Sequence, residues 1–287
     1  MPELPEVETI VRDLKKEVVG KTFSDIWVES TKIVKDYKRF KNELLFKKIL
    51  DIKRRGKNIL FFLSSGKILL IHQKLTGHLL LGKWKRKNNK WVCDIEGPLK
   101  EDPMNSFLRL ILFFKEGFQL ALSDLRKFAI VEILTNDELQ KKLNSLGFEP
   151  LSKNFTFEIF KNAIYKKREK KIKEVLLDQK IIAGIGNIYS NEILWDAKIN
   201  PFKKVEVLKI EELKRIYNSM KKILKLAIKL RGESFFTYRT IYGQKGEFDK
   251  ARKVYKRSEE TCFRCGNVIK KIKLNQRSTY FCPTCQL

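Results

Sequence analysis

The chain has 287 residues, 43% of them hydrophobic, enough for more than one packed core. Lys and Arg number 61 against 34 Asp and Glu, a formal net charge of +27, and so basic a protein points to a polyanionic partner, nucleic acid first. The acidic N-terminal stretch is followed by no apolar export signal, and the longest apolar runs, 59–63 and 68–71, are too short to cross a bilayer. The expectation is a cytoplasmic protein with no membrane partner. Four of the five cysteines fall in the last 26 residues, a clustering that suggests metal rather than disulfides.

In chain order, Met1-Pro2-Glu3-Leu4-Pro5-Glu6-Val7-Glu8 comes first. Leu4, Val7, Ile10, Val11, Leu14 and Val18 share one helical face, so a helix starts here, with proline and acids in its first turn. Proline is small enough to permit removal of the initiator methionine. Pro2 then carries a secondary amine with an ordinary pKa near 7.7–8.0, a candidate nucleophile towards an aldehyde-like carbon. Glu3 beside it is a candidate proton donor or acceptor. Short β-prone runs follow at 23–28, 49–52, 58–63, 67–72, 79–84, 107–114, 118–122 and 128–134, with turn signals at Ser64-Ser65-Gly66 and Lys115-Glu116-Gly117. This spacing predicts a β-sandwich or barrel. The charged stretch 85–90 is expected to be an exposed loop. Arg54-Arg55-Gly56-Lys57 reads either as a charged hairpin corner or as a strand end where Lys57 supplies a proton near Pro2.

Near Thr135 the period turns helical, with a linker at 147–152 and helices from Phe155 to Leu230. Leu213, Ile216, Tyr217, Met220, Ile223, Leu224 and Ala227 form a core-facing stripe. Between two helices lies Gly184-Ile185-Gly186-Asn187, where backbone N–H groups can approach a phosphate and Asn187 can cap the helix or bind the anion. An ordinary helix connection fits it as well. Cys262-Phe263-Arg264-Cys265 and Cys282-Pro283-Thr284-Cys285 are separated by sixteen residues and can supply four thiolates in a tetrahedron. That predicts one structural Zn²⁺ per chain, on a hairpin whose tip near Asn275-Gln276-Arg277 presents Arg277. Cys93 reads as a filler residue.

Taken together and in this order, Pro2-Glu3-Leu4-Pro5-Glu6, Arg55-Gly56-Lys57, Leu176-Leu177-Asp178-Gln179 with Gly184-Ile185-Gly186-Asn187-Ile188-Tyr189, and Arg277-Ser278-Thr279 before Cys282 resemble the bacterial formamidopyrimidine-DNA glycosylase family from end to end. The resemblance implies an α+β multidomain chain: an antiparallel β-sandwich with a catalytic N-terminal helix (1–134), a linker (135–153), a helix–two-turns–helix DNA-binding domain (154–250) and a four-cysteine zinc finger (251–287). It implies a monomer acting on double-stranded DNA that contains damaged bases, as a glycosylase and abasic-site lyase of base excision repair. By the same likeness Pro2 is the nucleophile, Glu3 the acid/base, Lys57 serves the first elimination and Arg277 the second. Leu75, Arg126 and Phe128 correspond to residues that fill the gap left by a flipped base. Asn187, Arg168 and Lys173 correspond to contacts with the DNA backbone.

The chain departs from the family pattern at Leu75, where Met is usual, at Leu125 and Ala129, and at Phe107 and Arg109, where a histidine-bearing strand is usual. The loop expected to close over the lesion, 231–246, has fewer glycines at its start. Two alternatives stay open. A sister glycosylase for oxidised pyrimidines shares the lyase residues but usually has Gly where this chain has Leu4. A non-enzymatic zinc-ribbon DNA-binding protein needs the basic surface and the cysteines, but not Pro2-Glu3 at a processed terminus.

Overall fold

Helix α1 (Leu4–Val18) buries the apolar stripe expected of it, Leu4, Val7, Ile10, Val11, Leu14 and Val18. Glu3 and Glu6 form a reciprocal capping box at its start, and Lys15 and Lys16 lie in the last turn, where the helix dipole favours cations. The computed structural model describes residues 1–30, 33–234 and 237–287. The chain divides into unit 1, Met1–Asn144 with Leu230–Asp249, and unit 2, Ser145–Lys229 with Lys250–Leu287.

After α1, unit 1 runs β1 (Phe23–Val28), α2 (Tyr37–Leu44), β2 (Ile49–Arg55), β3 (Asn58–Leu63), β4 (Ile68–His72), β5 (His78–Gly82), β6 (Trp84–Lys87), β7 (Lys90–Cys93), α3 (Pro98–Glu101), β8 (Leu108–Phe114), β9 (Gln119–Ser123), β10 (Ile130–Leu134) and α4 (Asn136–Leu143). Two antiparallel sheets form, in the orders β1-β8-β9-β5 and β10-β4-β3-β2. Alternate residues of each sheet, such as Leu110, Leu112 and Phe114 against Phe61, Leu69 and Ile71, share one core with α1. The opposite face of the first sheet is covered by the β6–β7 hairpin and α3 over Leu80, Leu108, Ile111 and Ala121. The opposite face of the second packs Leu60, Ile68 and Leu70 against Leu139 of α4.

Unit 2 contains α5 (Phe157–Tyr165), α6 (Ile172–Leu177), α7 (Asn187–Asp196), α8 (Ile210–Lys229), and a hairpin of β11 (Lys270–Leu274) and β12 (Arg277–Phe281). Phe155, Phe160 and Tyr217 pack edge-on or tilted around the α5–α8 contact at centroid separations of 5.6–6.3 Å. The two turns between α6 and α7 are built around one side chain. Gln179 donates to Leu177 O (3.0 Å) and Ile185 O (2.7 Å) and accepts from Gly184 N (2.9 Å).

One expectation is corrected here. The stretch 85–90 is not a loop: β6 and β7 pair antiparallel across Asn88-Asn89, both with positive φ (47° and 60°), the backbone of a tight hairpin turn that Asn tolerates. The two compact units group the chain in their own way beside the expected division at 134, 153 and 250. Helix α4 packs in unit 1, residues from Ser145 belong to unit 2, and residues 230–249 return to unit 1. The stretch 147–148 is tied into unit 2, because Gly147 N donates to Gln179 O (2.8 Å) and Phe148 N to Ile181 O (2.9 Å). The expected lesion loop 231–246 falls partly on Phe235 and Phe236, which lie outside the described residues. No helix among the described residues is long and apolar enough to cross a membrane.

Candidate active site

The start of α1 is enclosed. Pro2 is buried, Glu3 is 3% exposed, Glu6 1% and Lys57 7%. The Glu6 carboxylate joins two segments: Oε2 accepts from Glu3 N (2.7 Å) and Oε1 from Glu233 N (2.8 Å). Gly232 has φ +86°, and a Cβ there would sit 2.7 Å from Glu6 Oε1, so only glycine allows the approach. Lys57 stands in the β2–β3 turn beside Gly56 (φ 56°). Arg54 secures that turn, donating to Gly56 O (3.0 Å) and to Glu8 Oε2 on α1 (2.8 Å). Burial pushes the Met1 α-amine below its ordinary proton affinity; Glu3 and Glu6 oppose the shift and Lys57 adds to it.

A second group of expected residues comes together on the β4–β5 and β9–β10 loops. Asp124 is fully buried. Its carboxylate accepts from Thr76 Oγ1, from Arg126 N (3.2 Å) and from Ala129 N (2.8 Å). Arg126 N also reaches Thr76 Oγ1 (3.0 Å). These bonds tie the Leu75 loop to the Arg126–Phe128 loop. Leu75 is 38% exposed and Phe128 48%, and the Arg126 guanidinium lies 4.8 Å from the Phe128 ring centre. Exposed apolar side chains on a doubly anchored loop suit insertion between bases.

In unit 2, Arg277 is exposed as the first residue of β12, after the Asn275–Gln276 turn (φ 45° and 61°). Asn275 donates to Glu174 of α6, which fixes the turn. Arg168 is exposed between α5 and α6. Asn187 is the first residue of α7 rather than its cap, which is Gly186. Its Nδ2 donates to Ser278 O (3.0 Å), so the side chain braces β12. The expectation that Lys173 touches DNA is corrected. Lys173 has no exposed surface, and its Nζ donates to Asn191 Oδ1 (3.0 Å), Thr279 Oγ1 (2.9 Å) and Ser278 O (3.2 Å). A buried ammonium with three acceptors positions the strand that carries Arg277.

The four sulfurs of Cys262, Cys265, Cys282 and Cys285 lie within 4.8 Å of one another. A tetrahedral zinc with bonds near 2.3 Å needs sulfurs at about 3.8 Å, so the set closes on one ion with little movement. Cys262 Sγ accepts from Trp195 Nε1 (3.4 Å) and Cys282 Sγ from Cys285 N (3.4 Å), bonds that favour thiolates. The protein holds one structural zinc through these cysteines.

Sequence reasoning missed Glu6, Thr76, Asp124, Glu174 and Asn191. The Glu3-x-x-Glu6 spacing was a visible capping signal. The others organise loops through contacts distant in sequence, for which no local pattern exists.

A β-sandwich with an enclosed N-terminus, a pair of turns before a helix and a four-cysteine hairpin define a zinc-bearing DNA-repair protein of the glycosylase class. The formamidopyrimidine-DNA glycosylase N-terminal domain profile matches residues 1–131, the formamidopyrimidine-DNA glycosylase H2TH domain matches 146–238, and the zinc finger found in FPG and IleRS matches 259–287. Formamidopyrimidine-DNA glycosylase of Streptococcus pneumoniae is 35% identical over 289 residues, covering 100% of this chain and 99% of the relative. That of Pelotomaculum thermopropionicum is 36% identical over 290 residues, with 100% and 99% covered. The Lactococcus lactis enzyme in complex with abasic-site DNA superposes with a TM-score of 0.86 at 34% identity, covering 99% of both chains. Its complex with an oxidised-pyrimidine DNA gives 0.85 at 34%, again over 99% of both. The chain belongs to the formamidopyrimidine-DNA glycosylase family, DNA glycosylases of base excision repair.

Proposed function

We propose that the protein is a bifunctional DNA glycosylase and abasic-site lyase that removes oxidised purines, formamidopyrimidines and 8-oxoguanine, from double-stranded DNA. The observation that carries this reading is the enclosure of Pro2, Glu3 and Lys57 together at the start of α1. The Lactococcus lactis relative's complexes with Fapy-dG and abasic-site DNA support the substrate class.

With Met1 removed, the Pro2 nitrogen attacks C1′ of the damaged nucleotide. The bond from C1′ to the base breaks, the base leaves with a proton, and Glu3 supplies the proton that opens the sugar ring. The adduct of a secondary amine has no N–H proton to lose, so it stays a cationic iminium. That charge acidifies C2′. Loss of a C2′ proton expels the 3′ phosphate, a step served by Lys57, and a second elimination served by Arg277 expels the 5′ phosphate. The target base must first leave the stack, and Leu75, Arg126 and Phe128 take its place. Asn187, Arg168 and Arg277 are the phosphate ligands of unit 2, with Lys173 fixing β12 behind them.

A panel of duplexes, each with one lesion, tests this with base release and strand cutting assayed separately. Wild-type protein releases 8-oxoguanine and formamidopyrimidine bases and cuts the strand. Glu3→Gln still cuts abasic DNA but releases little base, since an abasic site has no base to expel. Cutting confined to abasic sites removes the glycosylase half of the reading. Faster release of oxidised pyrimidines than of purines selects the sister activity instead.

A further inference from the structure

Between α3 and β8 the chain makes a single 3₁₀ turn, Pro103–Ser106, capped by Asp102, whose Oδ1 accepts from Met104 N (3.0 Å). Three segments of unit 1 meet on this turn. The first is the Leu75 loop, closed by Gly77 N donating to Gln73 O (3.0 Å). It leads straight into His78, the first residue of β5, whose Nε2 donates to Asn105 Oδ1 (3.0 Å). The direction of that bond follows from Asn105, whose Nδ2 is committed to Pro98 O (2.7 Å), so that Oδ1 is the accepting atom. The second is the Arg126–Phe128 loop. Ser123 Oγ donates to Met104 O (2.7 Å) and Asp124 N to Phe107 O (2.8 Å), and the Asp124 carboxylate holds Arg126 N and Ala129 N.

The third segment is 238–243. Arg239 Nε donates to Asp102 Oδ2 (2.6 Å) from a side chain only 5% exposed. Gly243 has φ +77°, and a Cβ there would sit 2.9 Å from Asn105 Nδ2 and 2.9 Å from Leu99 N, so its backbone lies directly on the turn. From Arg239 the contacts continue to the reaction site. Tyr238 O accepts from Arg239 Nη1 (2.7 Å) and from Ser234 Oγ (2.9 Å). Ser234 follows Glu233, whose N–H the Glu6 carboxylate holds together with that of Glu3. His78, Asn105, Asp124 and Arg239 are all buried. Apolar side chains would pack such a junction at least as stably, because a buried ion pair repays little beyond the cost of drying its charges. What the polar pairs add is one fixed arrangement of the three segments.

We propose that Asp102 and Asn105 are positioning residues for base release. Through His78 and Arg239 they make the seating of Leu75, Arg126 and Phe128 in the DNA, and the setting of Glu3 and Glu6 at the nucleotide, a single event. The inference rests on the glycosylase reading and adds a source of selectivity to it. Where a normal base stays stacked, the gap-filling residues do not seat, and Glu3 is not set to protonate the sugar.

The test is a double-mutant cycle in full-length, zinc-loaded protein. Competent protein is counted by titration with an abasic-analogue duplex, so a loss of folded molecules does not enter the rates. One arm is Leu75→Ala. The other is Asp102→Asn/Arg239→Met, which removes both charges together, leaves Oδ1 to accept from Met104 N and keeps the volume at 239. Each arm is expected to slow base release from an 8-oxoguanine duplex about tenfold in single turnover, and both arms together also about tenfold, since breaking the link already removes what Leu75 conveys. Independent contributions multiply to about a hundredfold, and that result overturns the proposal. So does a link variant that releases base at the wild-type rate. Asn105→Leu cuts the link at His78 instead and should repeat the pattern with Leu75→Ala. The same cycle in the dissociation constant of the abasic-analogue duplex involves no chemistry and keeps the two readings apart. Non-additive binding, with no base released from any lesion by wild-type protein, contradicts the enzymatic reading alone; additive binding overturns the coupling.

Discussion

Glu6 holds two backbone N–H groups that belong to segments far apart in the chain, Glu3 and Glu233, and it is 1% exposed. Removing it strands both donors in a dry site. Each stranded donor costs about 1–3 kcal/mol, so Glu6→Ala should lower the stability of unit 1 by an amount in that range or above, read from its denaturant midpoint. Base release should slow as well, because Glu3 loses its anchor. Lys173 makes the complementary case. Its ammonium donates to Asn191, Thr279 and the Ser278 carbonyl, and Lys173→Met keeps the volume while removing one donor from each; Ser278 O keeps Asn187 Nδ2 and Asn191 Oδ1 keeps Tyr280 N. Protection of β12 amides from hydrogen exchange should fall and cutting of abasic DNA with it, while affinity for undamaged duplex keeps its salt slope. A slope reduced by about 0.9 instead would mean that Lys173 does neutralise a phosphate.

At the scale of elements, the two strands of the zinc hairpin are held differently: Lys270, Lys271, Ile272 and Lys273 of β11 are all exposed, so that strand depends on the four thiolates, whereas β12 buries Tyr280 and Phe281 against Tyr255 and Phe202. Chelation of the metal, or Cys282→Ser, should therefore release β11 and the turn that carries Arg277 and abolish strand cutting, while unit 1 keeps its thermal transition. Elemental analysis should give one zinc per chain before treatment and none after. These elements also show how far a sequence can be read. The limits of β1 and β3, the buried stripe of α1 and the cysteine set follow from period and spacing, which are local. The β6–β7 hairpin does not, because its Lys- and Arg-rich strands carry no apolar alternation and its stability comes from Trp84 and Trp91 packing on a distant sheet. Lys173 escapes for a similar reason: a lysine on a helix reads as solvated, and only its acceptors on Asn191, Ser278 and Thr279 reveal that it is not. Catalytic candidates were legible at the N-terminus since their chemistry depends on order in the chain, whereas Thr76 and Asp124 hold loops together across some fifty residues.

For the whole molecule, pH sets a limit on stability through the two histidines. Burial pushes His78 down to about 4 and His72 likewise to about 4, with Lys74 and Lys57 adding to the shift at His72. Both are neutral in the folded protein at pH 7, and the unfolded chain takes up protons first as pH falls below about 6.5. Their contribution is complete above that value and is lost between about 6.5 and 4, at roughly 1.4 kcal/mol per unit for each histidine. Thermal unfolding between pH 7.5 and 5 should show this fall, with about half the slope in His78→Gln. A flat profile would show that the histidines are not held neutral.

Every step proposed at the damaged nucleotide requires Pro2 to act through a free amine. The direct measurement is borohydride trapping: protein confirmed by intact mass to lack Met1 is mixed with an 8-oxoguanine or abasic duplex and reduced. A stable one-to-one crosslink at Pro2 is expected, with a rate that rises with pH as the amine loses its proton and then levels off, and little crosslink in Pro2→Gly. No crosslink on any oxidised or abasic duplex, or a crosslink that maps to a lysine side chain, would contradict it.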